Sequence, residues 1–339
     1  MFFEDLVNSA RGGVYFIAEA CDNHMGSFEY AKALVRAAKD SGADAVKFQH
    51  HLVAEEMLES CEMSDNFETH LYDFLLENAL SLAQHKALKE YCDEQKITYL
   101  CTPFSWKAAT EISDLVPFFK IGSGEFSDYW FIDKLANLRK PIIFSTGMSS
   151  EDELVANHKY FQNLGLDFSM LNCLSEYPPI YTDLNLEYIS RLLQLFPETT
   201  IGHSDHTDDI ASSLVAIAKG ARIIEKHLTL SRFVGGPDAS VSITPEQFKM
   251  LAAMGRKVRS SLGEANKQVR PRERKVRDWA YRSIVSTRHL EAGSIIVSED
   301  ICTKRPGTGV PSKMYKEFIG KTVARDIPQN TLMRLEDLI

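Results

Sequence analysis

Two lysines and two glutamates occur within or directly after short apolar segments, where charged side chains are unusual. They are Glu19, Lys47, Lys120 and Glu125. Burying such groups is costly unless they are paired or used in chemistry. The two lysines could bind a phosphate or a carboxylate, and the two glutamates could transfer protons. Internal ion pairing is the alternative explanation for each of them taken singly.

Hydroxyl side chains also follow apolar segments, at Thr102, Ser123 and Ser204, and Ser123 follows the segment that contains Lys120. Hydroxyl groups and lysine ammonium groups together form a typical binding site for an anion. We therefore predict that these three side chains converge with Lys47 and Lys120 on one phosphate or carboxylate group.

Two histidines, His206 and His227, follow neighbouring apolar segments and could hold a divalent metal ion together. Neither a thiolate nor an obvious third protein ligand accompanies them. This favours exchangeable Mn²⁺ or Mg²⁺ over a closed zinc centre. Asp205 could orient a histidine, and we expect His203 to be structural.

Eight short β-rich apolar runs position these residues, and stretches with helical spacing separate most of them. Eight buried strands that alternate with helices predict a (β/α)₈ TIM barrel, whose active site lies at the carboxyl ends of the strands. The predicted strands are Tyr15–Ala18, Ala45–Phe48, Thr98–Cys101, Phe118–Ile121, Ile142–Ser145, Met170–Cys173, Thr200–Gly202 and Ile223–Lys226.

The chain changes character after the predicted barrel, which we assign to residues 1–265. Thr244 begins a capping-box pattern for the last barrel helix. Residues 266–278 are basic and read as a linker, for which a solvated connector is favoured over a phosphate-binding strip. Residues 279–339 contain short β segments and turns, which predict a small, mostly β second domain. Such a small core is marginal, so we expect it to dock on the barrel or on a second subunit.

Composition excludes several functional classes. The 339 residues carry a formal net charge of −9, which argues against general attraction to nucleic acid or an anionic membrane. No apolar run is long enough to span a bilayer, and the acidic start is unlike a signal peptide, so we expect a cytoplasmic protein. The six cysteines are scattered, and no motif for a nucleotide cofactor is present.

The order of these motifs resembles the sialic acid synthase family, which condenses phosphoenolpyruvate with an N-acylated mannosamine-type sugar. The resemblance covers most of the chain and includes a C-terminal antifreeze-like domain, also called the SAF domain. The matching stretches are residues 17–19, 23–24, 42–49, 102–104, 120–125, 145–148, 204–207, 225–227, 236–238, 304–309 and 319–321.

The resemblance implies a role for each matching residue. Glu19, Glu125, Lys47 and Lys120 are the candidate catalytic residues. Phosphoenolpyruvate would be held by Lys47, Thr102, Lys120, Ser123, Ser175 and Ser204, and the metal, Mn²⁺ first with Mg²⁺ or Co²⁺ as alternatives, by His206 and His227. The acceptor sugar would contact Gln49, Asn66, Tyr177, Asp238 and, from the partner of a domain-swapped homodimer, Arg305.

Three positions depart from the family pattern. Met25 replaces an asparagine, Asn172 stands where many members have histidine, and Ala239 replaces a frequent histidine after Asp238. The metal and phosphoenolpyruvate residues are unaffected, whereas the assignment of the acceptor is weakened.

Several functions remain open at this point. N-acetylneuraminate synthase, which uses N-acetylmannosamine, is the first expectation. A sister synthase could instead use a 2,4-diacetamido sugar on the way to legionaminic or pseudaminic acid, or a 6-phosphorylated mannosamine. An aldolase that forms a Schiff base through Lys47 or Lys120 is a different class. A non-catalytic sugar-binding module is the third alternative.

Overall fold

The computed structural model describes residues 1–61, 70–234 and 236–339. The chain forms two compact units, Met1–Gly263 and Glu264–Ile339. Within the described part of the chain, no helix is both long and apolar enough to cross a membrane.

The first unit is a (β/α)₈ TIM barrel, as predicted. All its strand pairs are parallel, in the hydrogen-bonded order β3-β2-β1-β8-β7-β6-β5-β4, and β3 lies beside β4. The strands are β1 (Tyr15–Glu19), β2 (Ala45–His50), β3 (Thr98–Pro103), β4 (Phe119–Ile121), β5 (Ile142–Ser145), β6 (Phe168–Cys173), β7 (Thr200–Asp205) and β8 (Ile223–His227).

Helices of this unit connect and flank the strands. They are α1 (Phe2–Ser9), α2 (Phe28–Asp40), α3 (Val53–Glu56), α4 (Leu71–Asn78), α5 (Leu82–Gln95), α6 (Trp106–Ile112), α7 (Tyr129–Ala136), α8 (Glu151–Asn163), α9 (Tyr188–Leu195), α10 (Ala211–Ala218) and α11 (Pro245–Leu262). The predicted capping box at Thr244 is confirmed, because its hydroxyl accepts from the Gln247 backbone while the Gln247 side chain accepts from the Thr244 backbone.

Side chains alternate between the two faces of the barrel wall, as the pleat of a strand requires. In β1, Phe16 and Ala18 belong to the large core between sheet and helices, whereas Tyr15 and Ile17 belong to a smaller core. That smaller core includes Phe3, from α1. Helix α1 therefore packs apolar side chains against this smaller core, while the polar side chains of the barrel wall come at the carboxyl ends of the strands.

Strand register brings the predicted site residues into adjacent positions. Glu19 pairs with Lys47 across β1 and β2, and with His227 across β1 and β8. Ser204 pairs with Glu225 across β7 and β8. These five residues therefore occupy neighbouring positions on four consecutive strands of the wall.

The second unit has a two-stranded antiparallel sheet, β9 (Ser283–Ser286) and β10 (Ile301–Lys304), with helices α12 (Pro271–Ala280) and α13 (Tyr315–Phe318). Helix α12 covers most of the segment predicted as a linker, and none of its residues is buried. The predicted domain limits remain a proposal. A small core holds this unit together, formed by Ile284, Leu290, Ile296, Ile301, Phe318, Val323, Ile327 and Met333.

Candidate active site

A cavity of about 500 Å³ opens at the carboxyl ends of the barrel strands. Its volume suits a small polar substrate pair. The predicted site residues that line it are Glu19, Lys47, Gln49, Thr102, Lys120, Ser123, Glu125, Ser175, Tyr177, Ser204, His206, His227 and Asp238.

Lys47 makes three polar contacts in the barrel interior. Its ammonium group lies 2.7 Å from Glu19 Oε2 and 3.7 Å from Glu225 Oε1, and it donates to Thr102 Oγ1 at 2.9 Å. The lysine side chain is 4% exposed and that of Glu19 is 1% exposed. Internal ion pairing therefore exists, yet the array faces a cavity large enough for ligands.

Lys120 lies on the other side of Glu225. Its ammonium group is 3.5 Å from Glu225 Oε1 and donates to Ser145 Oγ at 2.8 Å. Ser204 Oγ also donates to Glu225 Oε1, at 3.3 Å. One glutamate oxygen thus lies between two lysines, and Glu225 Oε2 is buried without a hydrogen-bond partner among the residues that the structure describes.

Burial shifts the acid–base properties of these groups. It raises the pKa of Glu19 to about 7, because the opposing effect of Lys47 is incomplete and the Glu225 charge adds to the shift. It also raises the pKa of Glu125 and lowers that of Lys120. Two carboxyl groups on one cavity with raised pKa values are suited to proton transfer near neutral pH.

Gly147 brings two predicted hydroxyls together at the end of β5. Its backbone N–H donates to Ser123 Oγ at 3.0 Å. A Cβ atom at Gly147 would overlap Ser175 Oγ and lie 2.9 Å from Ser123 Oγ. A glycine is therefore required for this approach of Ser123 and Ser175.

The two predicted metal ligands lie side by side, with 5.3 Å between the ring centroids of His206 and His227. His206 Nδ1 donates to the Leu174 carbonyl at 2.8 Å, which leaves Nε2 of the neutral ring as an acceptor. Burial lowers the pKa of His206 to about 4 and that of His227 also falls. Both rings are therefore neutral, as metal ligands must be.

Further donor atoms near His227 fit a metal site. Its Nδ1 is buried and has no hydrogen-bond partner in the described part of the chain. The ligand atoms of Cys21, His227 and Asp238 all lie within 4.8 Å of one another. An orphaned imidazole nitrogen beside a thiol and a carboxyl group is a donor set suited to a divalent cation.

The predicted acceptor-binding residues fall into three groups. Tyr177 stacks on His206 with 4.1 Å between ring centroids, and Gln49 donates to Glu19 Oε1 at 3.0 Å. Asn66 lies outside the described residues. Arg305 belongs to the second unit, where its exposed guanidinium lies 4.7 Å from the centre of the Trp279 ring.

The structure adds residues that the prediction did not include in the site. Glu225 contacts both lysines. It lies on the same side of β8 as His227, which is two residues further along, so the alternation of side chains in a strand could have identified it.

The expectation that Asp205 orients a histidine was wrong. Its carboxylate instead pairs with Lys226 at 3.1 Å, on the outer side of the wall.

Comparisons with known proteins give consistent results. Residues 34–267 match the NeuB family and residues 281–339 match the SAF domain. N,N'-diacetyllegionaminic acid synthase of Campylobacter jejuni is 34% identical, over 94% of this chain and 98% of its own length. N-acetylneuraminate-9-phosphate synthase of Homo sapiens is 31% identical, over 96% of this chain and 92% of its own length. The structure of N-acetylneuraminic acid synthetase from Leptospira borgpetersenii, in complex with citrate, superposes with a TM-score of 0.72 and 28% identity, covering 78% of this chain and 90% of that one.

Proposed function

The chain belongs to the NeuB family, and from that premise we propose that it condenses phosphoenolpyruvate with an N-acylated mannosamine-type sugar and releases phosphate. N-acetylmannosamine is the proposed acceptor and N-acetylneuraminate the product. The observation that carries the proposal is the pairing of Lys47 and Lys120 around Glu225 in a cavity that also presents His206 and His227.

The anionic substrate suits the lysine side of the cavity. Lys47 and Lys120 would pair with the carboxylate and phosphate of phosphoenolpyruvate, because an ammonium group binds either as a point charge. Thr102, Ser123, Ser175 and Ser204 would donate hydroxyl hydrogen bonds to the remaining oxygens.

His206 and His227 would hold the divalent metal, for which Mn²⁺ is proposed first and Mg²⁺ or Co²⁺ as alternatives. When bound, such an ion supplies a Lewis acid for the aldehyde oxygen of the open-chain acceptor. Cys21 and Asp238 are near enough to His227 to complete the donor set.

In the proposed reaction, C3 of phosphoenolpyruvate bonds to the aldehyde carbon of the acceptor. Glu125, whose pKa is raised by burial, would protonate the oxygen that develops there. Glu19 would take a proton from the water that adds at C2, and Lys47 and Lys120 would stabilise the negative charge. Cleavage of the C2–O bond then releases phosphate and leaves a nine-carbon 3-deoxy-2-ulosonic acid.

The acceptor would lie toward Gln49, Tyr177 and Asp238, and we propose that Asn66 contributes as well. Arg305 would reach the acyl group of the sugar from the partner of a domain-swapped homodimer. The cytoplasmic location stays a prediction from the sequence.

A sister activity is the second candidate. The relative named N,N'-diacetyllegionaminic acid synthase, at 34% identity, favours a 2,4-diacetamido acceptor. Such an acceptor differs from N-acetylmannosamine in a second acetamido group at C4 and in the loss of the 6-hydroxyl group. Residues shared throughout the family would not distinguish the two sugars.

The test is phosphate release from phosphoenolpyruvate with Mn²⁺ and one acceptor at a time. The acceptors are N-acetylmannosamine, its 6-phosphate and 2,4-diacetamido-2,4,6-trideoxymannose, each repeated with EDTA. We expect EDTA-sensitive phosphate release with one acceptor. Release with N-acetylmannosamine would support the first candidate.

The same assay can contradict the proposal. If none of the acceptors supports phosphate release and calorimetry nevertheless shows sugar binding, a binding module would be favoured. Covalent trapping of pyruvate by borohydride on Lys47 or Lys120 would favour a Schiff-base aldolase. The variant Lys120→Met removes the ammonium group and keeps an unbranched side chain of similar length, so any trapping on Lys120 should be lost in it.

A further inference from the structure

A buried row of hydrogen bonds runs from Glu19 away from the lysines. Gln49 Nε2 donates to Glu19 Oε1 at 3.0 Å, and Gln49 Oε1 lies 3.0 Å from His51 Nε2. His51 Nδ1 lies 2.9 Å from Glu56 Oε1. The side chains of His51 and Glu56 are 5% and 4% exposed. The row therefore joins the cavity to α3 through groups that are shielded from water.

The donors and acceptors of this row require a specific charge on His51. The Glu56 carboxylate only accepts hydrogen bonds, so His51 Nδ1 carries a hydrogen. When Glu19 is ionised, its carboxylate also only accepts, so the Gln49 amide nitrogen faces Glu19 and its oxygen faces His51. An amide oxygen only accepts, so His51 Nε2 carries a hydrogen as well. A ring protonated on both nitrogens is an imidazolium cation.

The surroundings of His51 stabilise such a cation. Asp22 Oδ2 lies 3.6 Å from Nε2, and the Phe104 ring is stacked on the imidazole with 4.6 Å between centroids. Burial lowers the pKa of His51, but Glu56 and Asp22 outweigh burial, and the pKa is raised overall. The titratable groups that act on the ring are Asp22, His24, His50, Glu56, His85, Glu125 and Asp238.

We propose that Glu56 keeps His51 protonated, and that the imidazolium is a positioning residue that fixes the Gln49 amide in the cavity wall. If Nε2 of His51 carried no hydrogen, Gln49 would have to turn its amide nitrogen toward the ring. Its oxygen would then oppose the Glu19 carboxylate, and Glu19 would lose a donor. The inference rests on the proposed function, because Gln49 is there a contact of the acceptor sugar.

The first measurement is NMR of the full-length protein labelled with ¹⁵N and ¹³C in histidine. His51→Gln identifies the His51 signals by their loss. We expect both ring nitrogens to be protonated at neutral pH in the wild type. In Glu56→Gln we expect the proton affinity of the His51 ring to fall about tenfold, since a charge-assisted hydrogen bond to that ring is lost. A neutral ring in the wild type, or an unchanged titration in Glu56→Gln, would overturn the inference.

Glu111→Gln is the matched control. His50 Nε2 lies 2.8 Å from Glu111 Oε2, so the variant removes the same kind of pair one residue along the chain. His50 has no hydrogen bond to Gln49 within the described residues. We expect the titration of His51 to be unchanged in Glu111→Gln.

Steady-state kinetics supplies the second readout. In Glu56→Gln and His51→Gln, we expect the KM of the acceptor to rise about tenfold with little change in the KM of phosphoenolpyruvate. Glu111→Gln should keep both values, and an equal rise for both substrates in Glu56→Gln would contradict positioning at Gln49.

The two readouts separate the inference from the proposed function. If the wild type releases no phosphate with any acceptor, the proposed function fails and the ring state still decides the inference. If the wild type is active and His51 is neutral, the inference alone fails.

Discussion

At the scale of single residues, the cavity is distinguished by the balance of its charges. Lys47 and Lys120 face Glu19 and Glu225, so the four groups are close to neutral when all are ionised. Burial acts most clearly on Glu19, whose pKa rises to about 7. Its charge therefore changes within the pH range in which most enzymes work.

The first prediction concerns pH. Glu19 acts as a base only when ionised, so the rising limb of the kcat/KM profile should have an apparent pKa near 7. Glu125 acts as an acid only when protonated, so kcat/KM should fall again at higher pH. Glu19→Gln should lower kcat/KM at least ~100-fold and remove this ionisation from the profile. Phosphate release measured between about pH 6 and 8 checks both expectations.

Glu29→Gln is the matched control for Glu19→Gln, because its carboxylate is largely exposed on α2. It should keep the wild-type profile. A flat wild-type profile, or an unchanged ionisation in Glu19→Gln, would contradict the assignment of Glu19 as the base.

The second prediction concerns the metal. His206→Ala and His227→Ala should each abolish metal-dependent phosphate release and weaken Mn²⁺ binding, because each removes a neutral nitrogen ligand. Calorimetric titration with Mn²⁺ measures the binding, and circular dichroism measures the fold, which should be retained. His289→Ala, at an exposed position of the second unit, is the control. Full activity with stoichiometric Mn²⁺ in either site variant would refute the assignment.

At the scale of elements, alternation along each strand sorts polar residues to two sides of the barrel wall. In β8, Glu225 and His227 line the cavity, whereas Lys226 lies on the outer side with Asp205. Three consecutive motif residues therefore lie on two different sides of the barrel wall. The outer pair joins β7 to β8 directly behind the candidate metal ligands.

The third prediction concerns this outer pair. Both side chains are 0% exposed, and Asp205 also accepts hydrogen bonds from Thr207, Ser212 and Ser213. Asp205→Asn leaves the Lys226 ammonium buried without its counter-charge, so the free energy of unfolding should fall by about 3–5 kcal/mol. Equilibrium unfolding in urea measures the change.

The same pair has a defined pH dependence. Burial raises the pKa of Asp205, but the Lys226 charge outweighs burial and holds it below its ordinary value of 3.8. Its stabilisation is complete above that value and is lost as the pH falls below it. Glu187→Gln, which breaks the exposed pair with Lys219, should change stability little. If Asp205→Asn and Glu187→Gln lowered the free energy of unfolding by similar amounts, burial of the Asp205–Lys226 pair would be unimportant for stability.

At the scale of the whole molecule, the barrel and the SAF domain are separate compact units. The fourth prediction tests the proposed exchange of SAF domains between subunits. Arg305→Ala and His227→Ala should each be inactive as pure proteins. After mixing and exchange of subunits, about one quarter of all sites should combine an intact barrel with a partner's intact Arg305, and activity should return to that extent.

Sedimentation shows whether dimers form. Native mass spectrometry of the mixture shows whether subunits exchange, because the two variants differ in mass. If dimers exchange and activity does not return, Arg305 does not act across the subunit interface. An active Arg305→Ala protein would remove Arg305 from the site altogether.

The sequence by itself determined the eight strands, because buried parallel strands require apolar runs of that length between helical stretches. It also determined the candidate site, since parallel strands bring their carboxyl ends, and with them Glu19, Lys47, Lys120 and His227, to one end of the barrel. Only the tertiary structure decided which charges pair, because contacts between distant segments depend on strand register. That register places Glu225 between the two lysines and joins His51 to Glu19 through Gln49.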